Sequence, residues 1–564
     1  TKKKKPQKAD TSDICAKGPS SRRKIEKVTR SYRLISHLKK SMLRNCMKLN
    51  FVKLYSRNFN QLHTVTMNSA TDTCRKDINI IFQSAVKSVE PKKLIERTIS
   101  VKQTDGNCTL TVGDMCYDIN RNVYVVGFGK AVSGMARAID DCLNDHIVKG
   151  IISIPNGTHQ TLTQAGKQNL LVDSSSKIKA YEGGGSALQP LPCPPITLED
   201  ELEITKTLSR NGASITELNV VRKNIEILKG GGLVQAAYPA KVLTLIMSDV
   251  IDDPLDIICS GPTVPDPSSP QECLQIFQHL GIENQVPASI LKFLKETIVE
   301  SDKPEYELPS DSSDLNIKNK QKECWQNVQN VIVGNNKIAL TSAKEKSESL
   351  GYIPIVLTSR LSGEAKSVGK MFAKLAKYIS LSFGCKQSDK VSDELVKLEL
   401  ELFNYNLLKE SLKDIITITN TAYATGKAVC LIAGGETTVN VTGQGQGGRN
   451  QEMAVSCGME LWELFTKKKV FGYHVAFLSG GTDGQDGPTD VAGGLVTEDF
   501  ISDCMDEDVD VQYYLDNNDT YNLFKRIKNG SGFVKTGLTG TNVMDIQILI
   551  VKQRNIDKGS MSSL

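Results

Sequence analysis

The sequence predicts an α/β protein with an open sheet, and two observations carry this. Short apolar, β-branched runs recur along the chain with helical stretches between them. Several of these runs end in Gly-, Asp- or Ser-rich clusters. Val123–Val126 leads into Gly127-Phe128-Gly129-Lys130-Ala131, Val242–Met247 into Ser248-Asp249, and Val331–Val333 into Gly334-Asn335-Asn336-Lys337. Val429–Ala433 leads into Gly434-Gly435, and Val475–Leu478 into Ser479-Gly480-Gly481-Thr482-Asp483-Gly484. Open α/β sheets bind ligands beyond the carboxyl ends of their strands, so these clusters predict a shared cleft for an anion.

The chain has 564 residues, too many for one ordinary core, and two domains plus tails are expected. No apolar run approaches the roughly 20 residues that span a bilayer, so no membrane association is expected. The net charge of +5 comes from a basic N-terminal stretch, which gives no general nucleic-acid surface. Fourteen cysteines without a Cys-x-x-Cys pair fit buried thiols in a reducing compartment.

Residues 1–71 form a basic segment, disordered or targeting. From Lys27 to Thr71 there are nine Lys and Arg and no acidic residue, a composition like a mitochondrial transit peptide or an ordinary basic tail. A cytoplasmic or a mitochondrial location follows, according to which holds. Ordered structure is expected from Asp72, with Ile78, Ile81, Phe82 and Val86 on one helical face. Thr197 and Asp200 predict a capped helix over Leu198–Arg210, stopped at Asn211-Gly212. A second helix is expected over Thr216–Lys229, stopped by Gly230-Gly231-Gly232. The polar stretch Ser301–Lys322 reads as a linker, giving domains over 72–322 and 323–564. Residues 384–400 read as a charged insertion.

The candidate sites follow from these clusters. Gly127-Phe128-Gly129-Lys130-Ala131 sits between a strand and a helix N-terminus, where anions collect. Lys130 is either a phosphate or carboxylate contact or a solvated lysine. The cluster is neither a P-loop nor a convincing dinucleotide fingerprint, because the next strand ends in Pro155-Asn156 with no acid for a ribose. Gly183-Gly184-Gly185-Ser186 is a second anion cradle or a flexible turn before prolines. Gly443, Gly445, Gly447 and Gly448 precede Arg449, so the block reads as bare backbone plus a forked cation, or as a glycine-rich hairpin turn. Asp249 is a hydroxyl or metal partner, or a turn aspartate. Asp483, Asp486 and Asp490 crowd one loop, which is costly unless a cation or donors neutralise them. No histidine pairs with a plausible nucleophile, which leaves a hydrolase triad unsupported.

Taken in order, these blocks resemble the class II (glycerate 2-kinase, MOFRL) glycerate kinases over about residues 72–550. The resemblance also uses Glu217 to Lys223, Lys229-Gly230-Gly231, Ser260-Gly261-Pro262-Thr263 and Thr536 to Val543. It implies a Rossmann-like three-layer N-terminal domain, a smaller α/β C-terminal domain of the MOFRL type, and an active site between them. It implies ATP-dependent phosphorylation of D-glycerate to 2-phosphoglycerate, in a monomer or homodimer, with Lys130 and Arg449 as the key cations. Mg2+ would sit at Asp249 and Asp483, and phosphates at Gly127, Gly129, Gly184, Gly185, Ser186, Gly445, Gly447 and Gly448.

The chain departs from the family in one place. Ile178–Glu182, which looks like a lead-in strand, runs straight into Gly183, so a crossover helix and the next strand are missing. A parallel neighbour needs a crossover of about a dozen residues or more. The departure is either a skipped exon or an isoform with an interrupted N-terminal sheet. Two other readings stand beside the kinase: an NAD-dependent hydroxypyruvate reductase, and an inactive nucleotide-binding isoform.

Overall fold

A computed structural model describes residues 71–104, 107–183, 190–301, 323–384, 393–405, 407–466 and 472–554. The compact unit is Thr73–Leu564. The basic N-terminal stretch to residue 70, most of the expected linker, and Gly184, Gly185 and Ser186 lie outside the described residues.

After two helices, the second Pro91–Thr98, three strands form an antiparallel sheet: β1 (Ile99–Thr104), β2 (Asn107–Val112) and β3 (Met115–Ile119). Next come β4 (Val123–Phe128), β5 (Ile147–Pro155) and β6 (Ile178–Gly183), a parallel sheet. Then β7 (Val242–Met247) pairs in parallel with β8 (Val328–Gly334). The remaining strands are β9 (Ile353–Leu361), β10 (Val429–Gly435), β11 (Tyr473–Gly481), β12 (Gly493–Thr497), β13 (Phe533–Val534) and β14 (Asp545–Gln553). They form a six-stranded sheet in the order β13-β12-β11-β14-β10-β9. The strands expected from the apolar runs are all present.

The six-stranded sheet is the centre of a three-layer sandwich. Strand side chains alternate between faces, so β10 divides its residues. Val429, Leu431 and Ala433 join a core with the helices Ala365–Ser382 and Arg449–Leu461. Cys430 and Ile432 join the opposite core, where Ile78, Ile81 and Phe82 are fully buried. The expected helical face therefore exists, and it packs in the core of the C-terminal sheet. The expected boundary at 322 falls between β7 and β8, two strands that pair.

The helix Leu198–Arg210 carries the expected reciprocal cap of Thr197 and Asp200. It clusters with Ile215–Ile225, Pro270–His279 and Ala288–Ser301 around Ile204, Val221 and Phe277. The second expected helix stops at Ile225, before its glycines. Glu226 is extended and bridges Pro192, and Ile227 N–H bonds to Leu191 O, so strand-like pairing ends the helix first. Part of the expected 384–400 insertion is a helix, Asp393–Phe403, with Leu395, Leu398 and Leu402 buried.

The parallel sheets differ from the large one in coverage. One face of β4-β5-β6 packs on the helix Val132–Leu143 and on β2 through Ile152, Ile154, Ala136 and Leu110. The other presents Tyr124 (70% exposed), Val126 (53%), Ile151 (43%) and Tyr181 (60%) to solvent. Among the described residues, β4 pairs with β5 alone and β7 with β8 alone. All six residues of β7, Val-Leu-Thr-Leu-Ile-Met, are just partly buried.

This contrast is measurable by urea unfolding. Ile548→Ala, in the fully buried centre of β14, is expected to cost about 2–5 kcal/mol. Ile151→Ala, on the bare face of β5, should cost less than about 1 kcal/mol. Equal costs would show that the β5 face is covered.

Candidate active site

Two groups of residues meet at the carboxyl ends of the strands. The first lies after β4 and β7. Gly129 has φ +120°, a backbone setting that favours glycine, and it turns the chain into the helix Val132–Leu143. A Cβ on Gly127 would lie 2.6 Å from Val132 Cγ2, so this glycine serves strand–helix packing. Lys130 Nζ lies 3.3 Å from Asp249 Oδ2, which also accepts from Asn542 Nδ2 at 2.8 Å. Asn542 comes from the loop before β14, so this bond joins the two parts of the molecule. Asp249 lies two residues after β7, paired with a lysine, and does not cap a helix.

The second group surrounds Arg449, the first residue of its helix. Its Nε and Nη2 donate to Asp545 Oδ2 and Oδ1 at 2.5 and 2.8 Å. Its Nη1 lies 3.1 Å from Glu436 Oε1. Burial alone would lower the guanidinium pKa, but the bonds to Asp545 outweigh it and hold the group above its ordinary value. The charge is therefore permanent. Burial raises the Glu436 carboxyl; Asp545 and Asp249 add to this while Arg449 and Lys130 oppose it. Burial also raises Asp483, again with Asp545 adding and with Arg449 and Lys130 opposing. Asn542, in the loop before β14, ties the Lys130–Asp249 pair to that loop, and Asp545 at the head of β14 holds Arg449 beside Glu436, with Asp483 two residues after Gly481, the register partner of Asp545.

The three crowded aspartates separate by role. Asp486 is buried and accepts from the backbone N–H of Asn450 at 2.9 Å and of Gln451 at 2.8 Å, with both side-chain amides adding to this. It neutralises the start of the Arg449 helix, and burial still pushes its carboxyl up to about 6. Asp490 accepts from the Tyr521 hydroxyl at 2.7 Å. Asp483 stays with the cleft, accepting from Gln485 N–H at 3.0 Å. Each of the three thus accepts at least one hydrogen bond, and Asp486 accepts four.

The glycine loop also has an internal explanation. Gly443 N–H donates to Asn518 Oδ1 and Gly445 N–H to Asn517 O. A Cβ would lie 2.3 Å from Asp519 Cβ at Gly445, from Thr520 Oγ1 at Gly447 and from Asp486 Cγ at Gly448. These glycines let the loop lie flat on residues 517–520 and on Asp486. Among the described residues no three His, Cys, Asp or Glu are close enough to hold a metal by themselves. Sequence reasoning singled out Lys130, Asp249, Arg449 and Asp483, and missed Glu436, Asn542 and Asp545.

Comparison with known proteins agrees with this architecture. The profile described as a domain of unknown function (DUF4147) matches residues 77–182 and 178–295, in two stretches that meet on β6. The MOFRL family profile matches residues 429–545. A rat glycerate kinase is 39% identical over 511 residues, covering 83% of this chain and 92% of its own. A human glycerate kinase is 37% identical, covering 84% and 92%. The crystal structure of a glycerate kinase from Thermotoga maritima superposes with a TM-score of 0.57 at 27% identity, covering 85% of this chain and all of that one. The paired cations at the strand ends thus sit in a chain that belongs to the glycerate kinase family.

Proposed function

We propose that the chain transfers the terminal phosphoryl group of ATP to D-glycerate, giving 2-phosphoglycerate and ADP. The observation that carries this is the pair of carboxylate-bound cations, Lys130 on Asp249 and Arg449 on Asp545 and Glu436, linked through Asn542. Phosphoryl transfer needs positioning and charge stabilisation more than a covalent protein nucleophile, and these residues offer that. The D-glycerate 2-kinase of Thermotoga maritima, 29% identical over 494 residues, supports the choice of the 2-hydroxyl.

In this reading Arg449 and Lys130 hold the transferring phosphoryl group and the glycerate carboxylate. Both are fixed by carboxylates, so neither must be reorganised when charge develops on the phosphoryl oxygens. Asp249 and Asp483 fit magnesium, which takes one or two protein carboxylates with the rest of its shell from phosphate and water. The metal would neutralise phosphate charge in a cleft that already carries Asp249, Glu436 and Asp483. Gly127, Gly129, Gly447 and Gly448 adjoin the two cations in sequence and are the proposed phosphate-facing backbone; Gly184, Gly185 and Ser186, which lie outside the described residues, complete the proposed set. Gly445 shapes the loop, since its N–H is already donated. The reductase reading is disfavoured, since β5 ends at Pro155, followed by Asn156, with no acid there for a ribose.

A second reading has a specific observation behind it. Lys130 and Asp249 follow β4 and β7, which are edge strands with one partner each among the described residues although both read as interior strands. An isoform interrupted there would bind nucleotide without turnover.

The test is phosphoryl transfer from MgATP to D-glycerate by the chain from Asp72 onward, with the product identified by phosphorus NMR. Lys130→Met and Arg449→Met are each expected to lower kcat/KM at least about 100-fold. Near wild-type values for both would refute the assignment. Inserting the corresponding segment of the rat relative between Glu182 and Gly183 should raise turnover and Tm together. If that restored chain is also silent, the kinase reading fails; if it alone is active, the uninterrupted chain is the enzyme.

A further inference from the structure

We infer that Asp545 is a positioning residue for the proposed transfer, locking the guanidinium of Arg449 in one orientation with an outer edge left for an anion. The inference rests on the kinase reading above and concerns a residue that no sequence motif singled out.

Asp545 opens β14, and its side chain is fully buried. In register it stands opposite Gly435 of β10 on one side and Gly481 of β11 on the other. Both of its immediate strand neighbours are therefore without side chains. A Cβ on Gly481 would sit 3.4 Å from Asp545 Oδ1, in contact with the carboxylate. Its backbone is held too: Asn336, itself 2% exposed, donates from Nδ2 to Asp545 O at 3.0 Å and to Val543 O at 2.9 Å.

Among the described residues, the hydrogen bonds to the Asp545 carboxylate come from Arg449, one to each oxygen. Aspartate is disfavoured in strands, and a buried carboxylate is costly even when paired. An apolar pair would serve the sheet at least as well, so stability does not explain this one. Orientation does. The carboxylate grips the guanidinium along its Nε–Nη2 edge, which stops rotation about the end of the side chain. Glu436 meets Nη1 from the cleft side and is itself partly exposed. A guanidinium has five N–H groups, so donors remain on the Nη1–Nη2 edge for a phosphoryl or carboxylate group.

The experiment compares wild type, Asp545→Asn, Asp545→Glu, Arg449→Lys and the Asp545→Asn/Arg449→Lys double variant. Asp545→Asn is expected to lower kcat about 30-fold or more while KM for MgATP moves less than about threefold. In the Arg449→Lys background the same change should cost less than about threefold, because the group it positions is gone. Asp545→Glu, which keeps the charge, should fold and recover part of the lost kcat. Asp545→Asn turnover within about threefold of wild type would overturn the inference, as would an equal loss in both backgrounds. Should Asp545→Asn fail to fold, Asp545→Glu decides: an unchanged kcat overturns the role. A wild type without turnover moves the series to the chain with the segment restored after Glu182, and silence there overturns the kinase reading instead. The clamp is then read from the 15N–1H signal of Arg449 Nε, expected to exchange slowly in wild type and to be lost in Asp545→Asn. A signal unaffected by the substitution overturns it.

Discussion

The site depends on one constraint, the antiparallel course of β14 between β10 and β11. Because β14 runs against its neighbours, its first residue lies beside their last ones. The loops after β10 and β11 and the loop before β14 are thereby delivered to one edge. Arg449 comes with the first loop, Asp483 and Asp486 with the second, and Asn542 with the third. No other pairing of these strands would bring Asp545 to Arg449, 96 positions away in sequence. The buried Asp486 completes the arrangement, since the helix carrying Arg449 begins on its carboxylate. Charges this deep are tolerated because each is paired, and the pairing fixes them in place.

Part of this was legible in the sequence. Apolar runs ending in glycine and aspartate marked the strands and the edge where they finish, and Thr197 with Asp200 marked a helix start that the structure repeats. Lys130, Asp249, Arg449 and Asp483 were visible because each sits in a conspicuous cluster. Asp545 was not, since it stands in the apolar run Val543-Met544-Asp545-Ile546-Gln547-Ile548 with no cluster around it. Its one available signal was the oddity itself, a carboxylate at the mouth of a buried strand. The glycines at 443–448 show a different limit. A local pattern reveals that something approaches the backbone closely but not what does, and here Asn517, Asp519 and Thr520 do so. The helix ending at Ile225 failed for the same reason, because the bridge to Pro192 is tertiary.

The interruption before Gly183 can be followed through the same physics. A strand buried on both faces reads as a continuous apolar run, and Val242–Met247 reads so. Yet every residue of β7 is partly exposed, and Tyr124 and Val126 on β4 are open to water. Those residue types suit a covering neighbour, and none pairs there among the described residues. The family profile breaks at the same point, with its two matches overlapping at 178–182. The two matches thus meet where the sequence reading expects a missing crossover.

The two halves of the site are held unequally. Arg449, Asp545 and Asp486 belong to the six-stranded sheet, whose central strands are fully buried and paired on both sides. Lys130 and Asp249 stand at the ends of β4 and β7, each held by one strand partner among the described residues. Local opening is easiest where buried contacts and paired edges are few. The Lys130–Asp249 pair is accordingly the softer half of the cleft. Asn542, reaching across from the loop before β14 to Asp249, ties it to the firmer half. Loss of order would then begin at Lys130 and leave the Arg449 clamp standing. Such a chain would keep one of the two cations in place while losing the geometry that in-line transfer between two bound substrates requires.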